Sequence, residues 1–189
     1  MNFLKKFNNK KNIRFFMFEY ALELAKMRNL KTFVETGTSR GKIKFFFFRK
    51  YNWKDGMSTV TLGEFAKFIN GTLYTCDISK DNIDNAKIFT KNLKKYISFH
   101  VEDSVTFLKN FKLPIDFLYL DSLDGHNPKN ASKHQLNEIK SAINKLHQKC
   151  LIILDDKGLK TNLSLGFLKE NKYEVLKETN FQILLSKKI

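Results

Sequence analysis

Two groups of residues in this chain have the types and spacing to do chemistry, and both stand where an apolar run gives way to polar residues. The first is Glu35-Thr36-Gly37-Thr38-Ser39-Arg40-Gly41, followed along the chain by Asp77 and by the pair Asp103-Ser104. Gly37 and Gly41 lack a Cβ, so the backbone there can turn sharply and approach a ligand closely. Asp77 closes the next apolar run, where a carboxylate can accept both hydroxyls of a ribose. Asp103 and Ser104 close the run after that, placed to meet an adenine edge. A pyrophosphate site would want G-x-G-x-x-G, but its first glycine is replaced by Glu35. Glu35 repels phosphates and suits a positively charged sulfonium or amino group.

The second group is Asp121, Asp155 and Asp156, at the ends of two further apolar runs. Neighbouring parallel strands would bring them to one sheet edge, where unpaired carboxylates destabilise each other and a cation resolves the repulsion. An all-oxygen set favours Mg²⁺, Ca²⁺ or Mn²⁺. The alternative is solvation and helix capping, with Asp156 free to cap whatever follows it. His126, beside the acidic loop, is the preferred general base, with Lys129 and His134 as the other candidates. His134 and Glu138, four apart on a predicted helix, share a face and read as a solvated pair.

The elements that must hold these groups alternate in type. Helical spacing marks Phe15–Met27, Thr59–Ile69 with Gly71 as its C-cap, Asp81–Lys94, Ser104–Asn110 and Gln135–His147. Short apolar strands fall at Lys31–Glu35, Thr72–Asp77, Ile97–Val101, Ile115–Leu120 and Cys150–Leu154, with a polar loop from Asp121 to about Lys133. Tyr173–Leu176 and Phe181–Leu185 read as a closing β-hairpin. Strands alternating with helices predict an α/β, doubly wound, mostly parallel sheet. The hairpin adds an antiparallel strand and gives seven in all. Ligands of such sheets bind beyond the carboxyl ends of the strands, at the switch point, which is where both groups lie.

With these motifs in place, the sequence resembles the class I S-adenosylmethionine-dependent methyltransferases, particularly the branch of catechol-type, caffeoyl-CoA-type and cephalosporin-hydroxylase-like proteins. The resemblance covers roughly Lys31 to Lys187. It rests on VETGTSRG (34–41), DGMSTVTLGEFAK (55–67), LYTCDIS (73–79), HVEDS (100–104), FLYLDSLDGH (117–126) and LIILDD (151–156). It implies a Rossmann-like methyltransferase fold and cofactor contacts from Glu35, Gly37, Thr38, Ser39, Ser58, Asp77, Asp103 and Ser104. It also implies a divalent ion, Mg²⁺ by preference, on Asp121, Asp155 and Asp156. Such an ion would chelate an acceptor hydroxyl in line with the methyl group, with Asp121 and His126 as the catalytic pair. Catechol-type enzymes place a lysine base three residues after the first metal Asp, and here that position is Asp124. The expected activity is metal-assisted O-methylation of a small hydroxylated molecule, a sugar or natural-product precursor. RNA methylation and a non-catalytic S-adenosylmethionine-binding module are the alternatives.

Composition bounds these readings. The chain has 189 residues, 42% hydrophobic and 28% charged, enough for one domain over 1–189 in which 1–30 form a basic segment and a helix. Its net charge of +15 invites a polyanionic partner. Against that, the charge is mostly lysine spread along the chain, and the Asn-, Ile- and Phe-rich mix is what A·T-biased codons produce. Nucleic acid is therefore the disfavoured partner, and Lys5–Arg14 reads as a solvated, frayed terminus. No run approaches the ~20 apolar residues of a membrane span. No signal-peptide pattern follows Met1–Lys11, and a cytoplasmic location is expected. Cys76 and Cys150 read as buried thiols. Between Gly41 and Ser58 the segment KIKFFFFRKYNWKDGM is an insertion relative to the catechol-type pattern. Phe45 to Phe48, Tyr51 and Trp53 suit either a lid over the methyl donor or a loop folded onto a helix or a second subunit.

Overall fold

The fold follows from how the apolar runs are covered. The structure, a computed structural model, describes residues 1–40, 42–45, 48–53 and 57–188. In chain order its main elements are α1 (Phe15–Met27), β1 (Thr32–Thr36), β2 (Lys42–Phe45), β3 (Phe48–Tyr51), α2 (Ser58–Ile69), β4 (Thr72–Asp77), α3 (Lys80–Phe89) and β5 (Ile97–Val101). There follow α4 (Ser104–Asn110), β6 (Ile115–Leu120), α5 (Pro128–Ala142), β7 (Leu146–Asp155), α6 (Asn162–Glu170), β8 (Tyr173–Glu178) and β9 (Gln182–Lys187).

Seven strands form one sheet in the order β5-β4-β1-β6-β7-β9-β8, and β2 and β3 pair separately as an antiparallel hairpin. β1, β4, β5, β6 and β7 are parallel, and β9 runs antiparallel to both β7 and β8. This is the doubly wound sheet with a closing antiparallel hairpin that the sequence predicts. The chain winds outward from β1 through β4 to β5, then crosses back to β6 on the other side of β1. The switch point therefore lies at the carboxyl ends of β1 and β6.

Strands covered on both faces carry near-continuous apolar sequence, and β6 shows why. Its Phe117 and Tyr119 join the core beneath α1 and α2, while Leu118 and Leu120 join the core beneath α4, α5 and α6. In the first layer the rings of Phe33 and Phe65 meet edge-on at 5.3 Å, both fully buried. Burial of each contributes about 2–3 kcal/mol.

Several boundaries move, each for a local reason. α2 ends on Asn70, which takes the left-handed conformation (φ 53°) expected at Gly71; Gly71 instead donates its N–H to the Ala66 carbonyl at 2.8 Å. A Cβ on Gly71 would lie 2.5 Å from the Lys31 carbonyl oxygen, so close approach explains that glycine. α5 starts at Pro128, with Asn127 accepting from the Asn130 N–H, so the polar loop stops sooner than expected. α6 occupies a stretch to which hydropathy assigns no element; it has nine residues with Gly166 inside.

The N-terminal segment is not frayed. Leu4 and Phe7 are buried, the Phe7 ring lies 5.6 Å from that of Trp53, and the Met1 amino group pairs with Glu23 at 3.0 Å. Cys76 and Cys150 are buried free thiols, and desolvation pushes both pKa values up. Among the described residues no helix is long and apolar enough to cross a membrane.

Candidate active site

The turn after β1 is built around Gly37. Its φ of +82° is a left-handed conformation, and an added Cβ would stand 2.2 Å from the Asp121 carbonyl oxygen. Only glycine fits, because the ends of β1, β4 and β6 are laced together there. Gly37 N–H donates to the Cys76 carbonyl at 2.9 Å, and Asp121 N–H donates to the Thr36 carbonyl at 3.0 Å.

Glu35 lies behind this turn. It is fully buried and lines neither of the cavities described below. One carboxylate oxygen accepts from the hydroxyls of Thr59 and Thr75, each at 2.7 Å, and the other has no hydrogen-bond partner among the described residues. Desolvation pushes its pKa up to about 7; the hydroxyls of Ser58, Thr75 and Thr59 oppose that shift, and Asp121 adds to it. The same hydroxyl layer fixes the turn. Ser39 N–H donates to Thr59 Oγ1 at 2.8 Å, Thr59 N–H donates to Ser39 Oγ at 3.0 Å, and the Thr38 and Thr75 hydroxyls meet at 2.7 Å. Glu35 thus stands behind the walls of these cavities rather than on them.

Two adjoining cavities open along the strand ends. The larger, about 470 Å³, has Gly37, Thr38, Ser39, Ser58 and Asp77 on its walls, with the β6 loop from Asp121 to Asp124 closing it. The smaller, about 130 Å³, is lined in part by Asp103, Ser104 and His134. Asp77 stands at their junction. Its carboxylate is anchored by Ser79 N–H at 2.8 Å and by the Asn82 amide at 3.1–3.2 Å from its two oxygens, leaving lone pairs for a ligand. Asp103 caps α4, accepting from Thr106 N–H at 2.9 Å. Ile78 and Leu123, 77% and 43% exposed, line both cavities and offer apolar surface to a planar ring.

Ile78, Asn82, Ser122 and Leu123 are site residues that the sequence reading does not name. The pattern of one exposed apolar residue directly after the strand-end Asp77 is the signal that could mark Ile78. His134 and Glu138, read as a solvated pair, face inward instead. Glu138 is buried and accepts from the Ser122 hydroxyl at 2.7 Å, and His134 Nε2 lies 2.9 Å from Ser104 Oγ. These contacts brace the wall of the smaller cavity.

The second carboxylate group does converge: oxygen atoms of Asp121, Asp155 and Asp156 lie within 4.8 Å of one another. Two cations that the sequence reading does not associate with it stand among them. Lys160 Nζ is 2.8 Å from Asp121 Oδ1 and 3.1 Å from Asp156 Oδ2. Arg14 reaches Asp155 Oδ2 through Nη2 at 2.6 Å and through Nε at 2.8 Å. Tyr119 donates its hydroxyl to Asp121 Oδ2 at 3.2 Å. Burial and Asp155 push the Asp121 carboxyl up to about 7, against the pull of Lys160 and Arg14. Burial opposes the charge on Arg14 and on Lys160, yet their acidic neighbours outweigh it, and both pKa values lie above the ordinary range. As placed, these residues fit a divalent ion poorly, because Lys160 and Arg14 already pair with an oxygen of each carboxylate; of the cluster's oxygens, Asp155 Oδ1 alone is buried with no hydrogen-bond partner among the described residues.

A further cavity of about 490 Å³ adjoins this cluster and shares Arg40, Asp121, Asp124 and His126 with the 470 Å³ cavity. His126 thus faces both. Asp124, at the position of the catechol-type lysine, is held by Arg40 in a two-point pair at 2.9 and 3.0 Å. Of the aromatic insertion, β2 and β3 are described as a backbone hairpin and Trp53 packs on Phe7. Gly41, Phe46, Phe47 and the side chains of Phe45, Phe48 and Tyr51, on which the lid expectation rests, lie outside the described residues.

Residues 53–157 match a family described as a methyltransferase domain. That is more than half of the chain, and the chain belongs to this family. No curated protein sequence matches it. Among solved structures it is similar to a methyltransferase from Podospora anserina with SAH bound, at 13% identity and a TM-score of 0.65, covering 92% of this chain and 78% of that one. It is also similar to a methyltransferase from Geobacter sulfurreducens, at 13% identity and a TM-score of 0.61, covering 90% and 77%. An rRNA methylase from Streptococcus thermophilus superposes at 11% identity and a TM-score of 0.60, covering 95% and 99%. At such identities the likeness is one of fold.

Proposed function

We propose that this methyltransferase uses S-adenosylmethionine to methylate a hydroxyl oxygen of a small hydroxylated molecule, such as a sugar or natural-product precursor. The observation that carries the reading is the shared wall: the cleft lined by Asp77 has Arg40, Asp121, Asp124 and His126 in common with a second polar cavity. When bound, the cofactor supplies an electrophilic methyl group on a sulfonium. Asp77 accepts the ribose hydroxyls, Ile78 and Leu123 flank the adenine beside Asp103 and Ser104, and the Gly37–Ser39 turn lets the backbone approach the amino-acid end. Above about pH 7, where its buried carboxyl ionises, Glu35 contributes negative potential that favours the sulfonium. The acceptor sits in the second cavity, where His126 takes its hydroxyl proton as the C–O bond forms and the methyl–sulfur bond breaks. Metal assistance on Asp121, Asp155 and Asp156 is not needed for these steps, since Lys160 and Arg14 answer those charges.

The rRNA methylase among the structural neighbours, with the charge of +15, supports RNA as the competing acceptor. A radiolabelled methyl-transfer screen over hydroxylated metabolites and over total RNA separates the two. Transfer to a small hydroxylated molecule, lowered on His126→Ala, is the expected result. Transfer to RNA alone, with steeply salt-dependent binding, contradicts the reading.

A further inference from the structure

The charges at the ends of β6 and β7 carry one inference beyond this, which rests on the methyl-transfer reading of the same site. The Lys160 ammonium meets three oxygens: it donates to Asp121 Oδ1 at 2.8 Å and to the Leu123 carbonyl at 3.0 Å, and it pairs ionically with Asp156 Oδ2 at 3.1 Å. Its side chain is 2% exposed. That is the behaviour of an ion in a coordination shell rather than of a solvated surface lysine.

The local backbone puts it there. Asp156 adopts φ 54° and Gly158 φ 83°, and the N–H groups of Leu159 and Lys160 both donate to the Asp156 carbonyl, at 3.0 and 3.2 Å. This turn throws Lys160 back over the strand ends, immediately before α6. A hard divalent ion would need carboxylate contacts of about 2.0–2.6 Å in the gap that the ammonium occupies. Two cations at that spacing repel strongly in a partly buried site. Arg14 adds a second positive charge on the far side, with Nη2 2.6 Å from Asp155 and 3.6 Å from Asp156.

We propose that Lys160 is the resident cation of this site, a tethered ammonium standing where a divalent ion would otherwise bind, so that the protein holds its strand ends and its cofactor wall without metal. Lys160 is a positioning residue. Through Asp121 and the Leu123 carbonyl it pins the loop that walls both the cofactor cleft and the second cavity, and through Asp156 it ties that loop to the end of β7. As an ammonium held between carboxylates it carries no lone pair and does not act as the base.

The test is Mn²⁺ titration of the whole chain followed by electron paramagnetic resonance, with S-adenosylmethionine affinity measured in parallel by calorimetry. The wild type should leave Mn²⁺ free up to about 1 mM, beyond the weakest protein sites for hard divalent ions, and EDTA should not change its cofactor affinity. Lys160→Met should take up about one Mn²⁺ per chain, and Mn²⁺ should restore the thermal stability that the substitution removes. Lys160→Arg, which keeps the charge, should stay blind to Mn²⁺. Stoichiometric Mn²⁺ uptake by the wild type overturns the proposal, as does a folded Lys160→Met that binds none. If Lys160→Met does not fold, the wild-type titration decides alone. Absence of cofactor binding in a chain that also ignores Mn²⁺ would sink the methyl-donor reading and leave the tethered cation standing.

Discussion

The two strand-end regions solve the same problem, buried and half-buried carboxylates near a cavity, in opposite ways. At the ends of β1 and β4 the acids are answered by neutral groups. Glu35 takes two threonine hydroxyls and Asp77 an asparagine amide and a backbone N–H, with lone pairs left over. At the ends of β6 and β7 the acids are answered by full charges, and Lys160 and Arg14 close the cluster on itself. Neutral partners leave negative potential for a cationic ligand, whereas internal cations use it up. On the proposed reading, the first edge binds and the second braces.

Four perturbations break or sharpen this contrast. The largest effect belongs to Arg14→Ala, which strands a fully buried Asp155 and should cost about 3–5 kcal/mol, read by denaturant unfolding. Replacing Arg14 and Asp155 together with apolar residues should recover much of that loss. Next comes pH. Burial raises Glu35 from 4.5 to about 7, so the unfolded chain releases this proton near pH 4.5 while the folded one holds it to about 7. That part of the stability is present below pH 4.5 and is lost as pH rises through 7, on the order of 3 kcal/mol. Glu35→Gln should match the wild type at low pH and exceed it at pH 8.

Smaller again is Gly37→Ala, where a left-handed φ (+82°) and a Cβ 2.2 Å from a carbonyl oxygen should cost about 1–3 kcal/mol and weaken cofactor binding at the same time. The smallest is Asp103→Ala, which removes the cap of α4 and should cost about 1 kcal/mol. A larger loss in cofactor affinity than in stability would show Asp103 touching the ligand as well as the helix.

The proposed cofactor edge draws its candidates from the sequence because its parts are local. Gly37 follows its strand directly, Asp77 and Asp103 each close one, and the hairpin of β8 and β9 follows from alternation and a polar turn. What escapes the sequence is contact across distance. Arg14 meets Asp155 over 141 positions and Lys160 meets Asp121 over 39, so acids that look unpaired in sequence are paired in space. Glu35 looks like a ligand contact because its position in the turn shows, but the threonines that bury it come from α2 and β4. The start of α5 escapes for a smaller reason: Asn127-Pro128 reads as loop until the proline is placed in the first turn of a helix.

The most direct test of the account is calorimetry of S-adenosylmethionine on the wild type and on Asp77→Ala. The account predicts saturable one-site binding by the wild type. It predicts a loss of about 10- to 100-fold on Asp77→Ala, the worth of a charge-assisted hydrogen bond, with unfolding stability little changed. No binding by a folded wild type, or equal affinity in the two proteins, would contradict it.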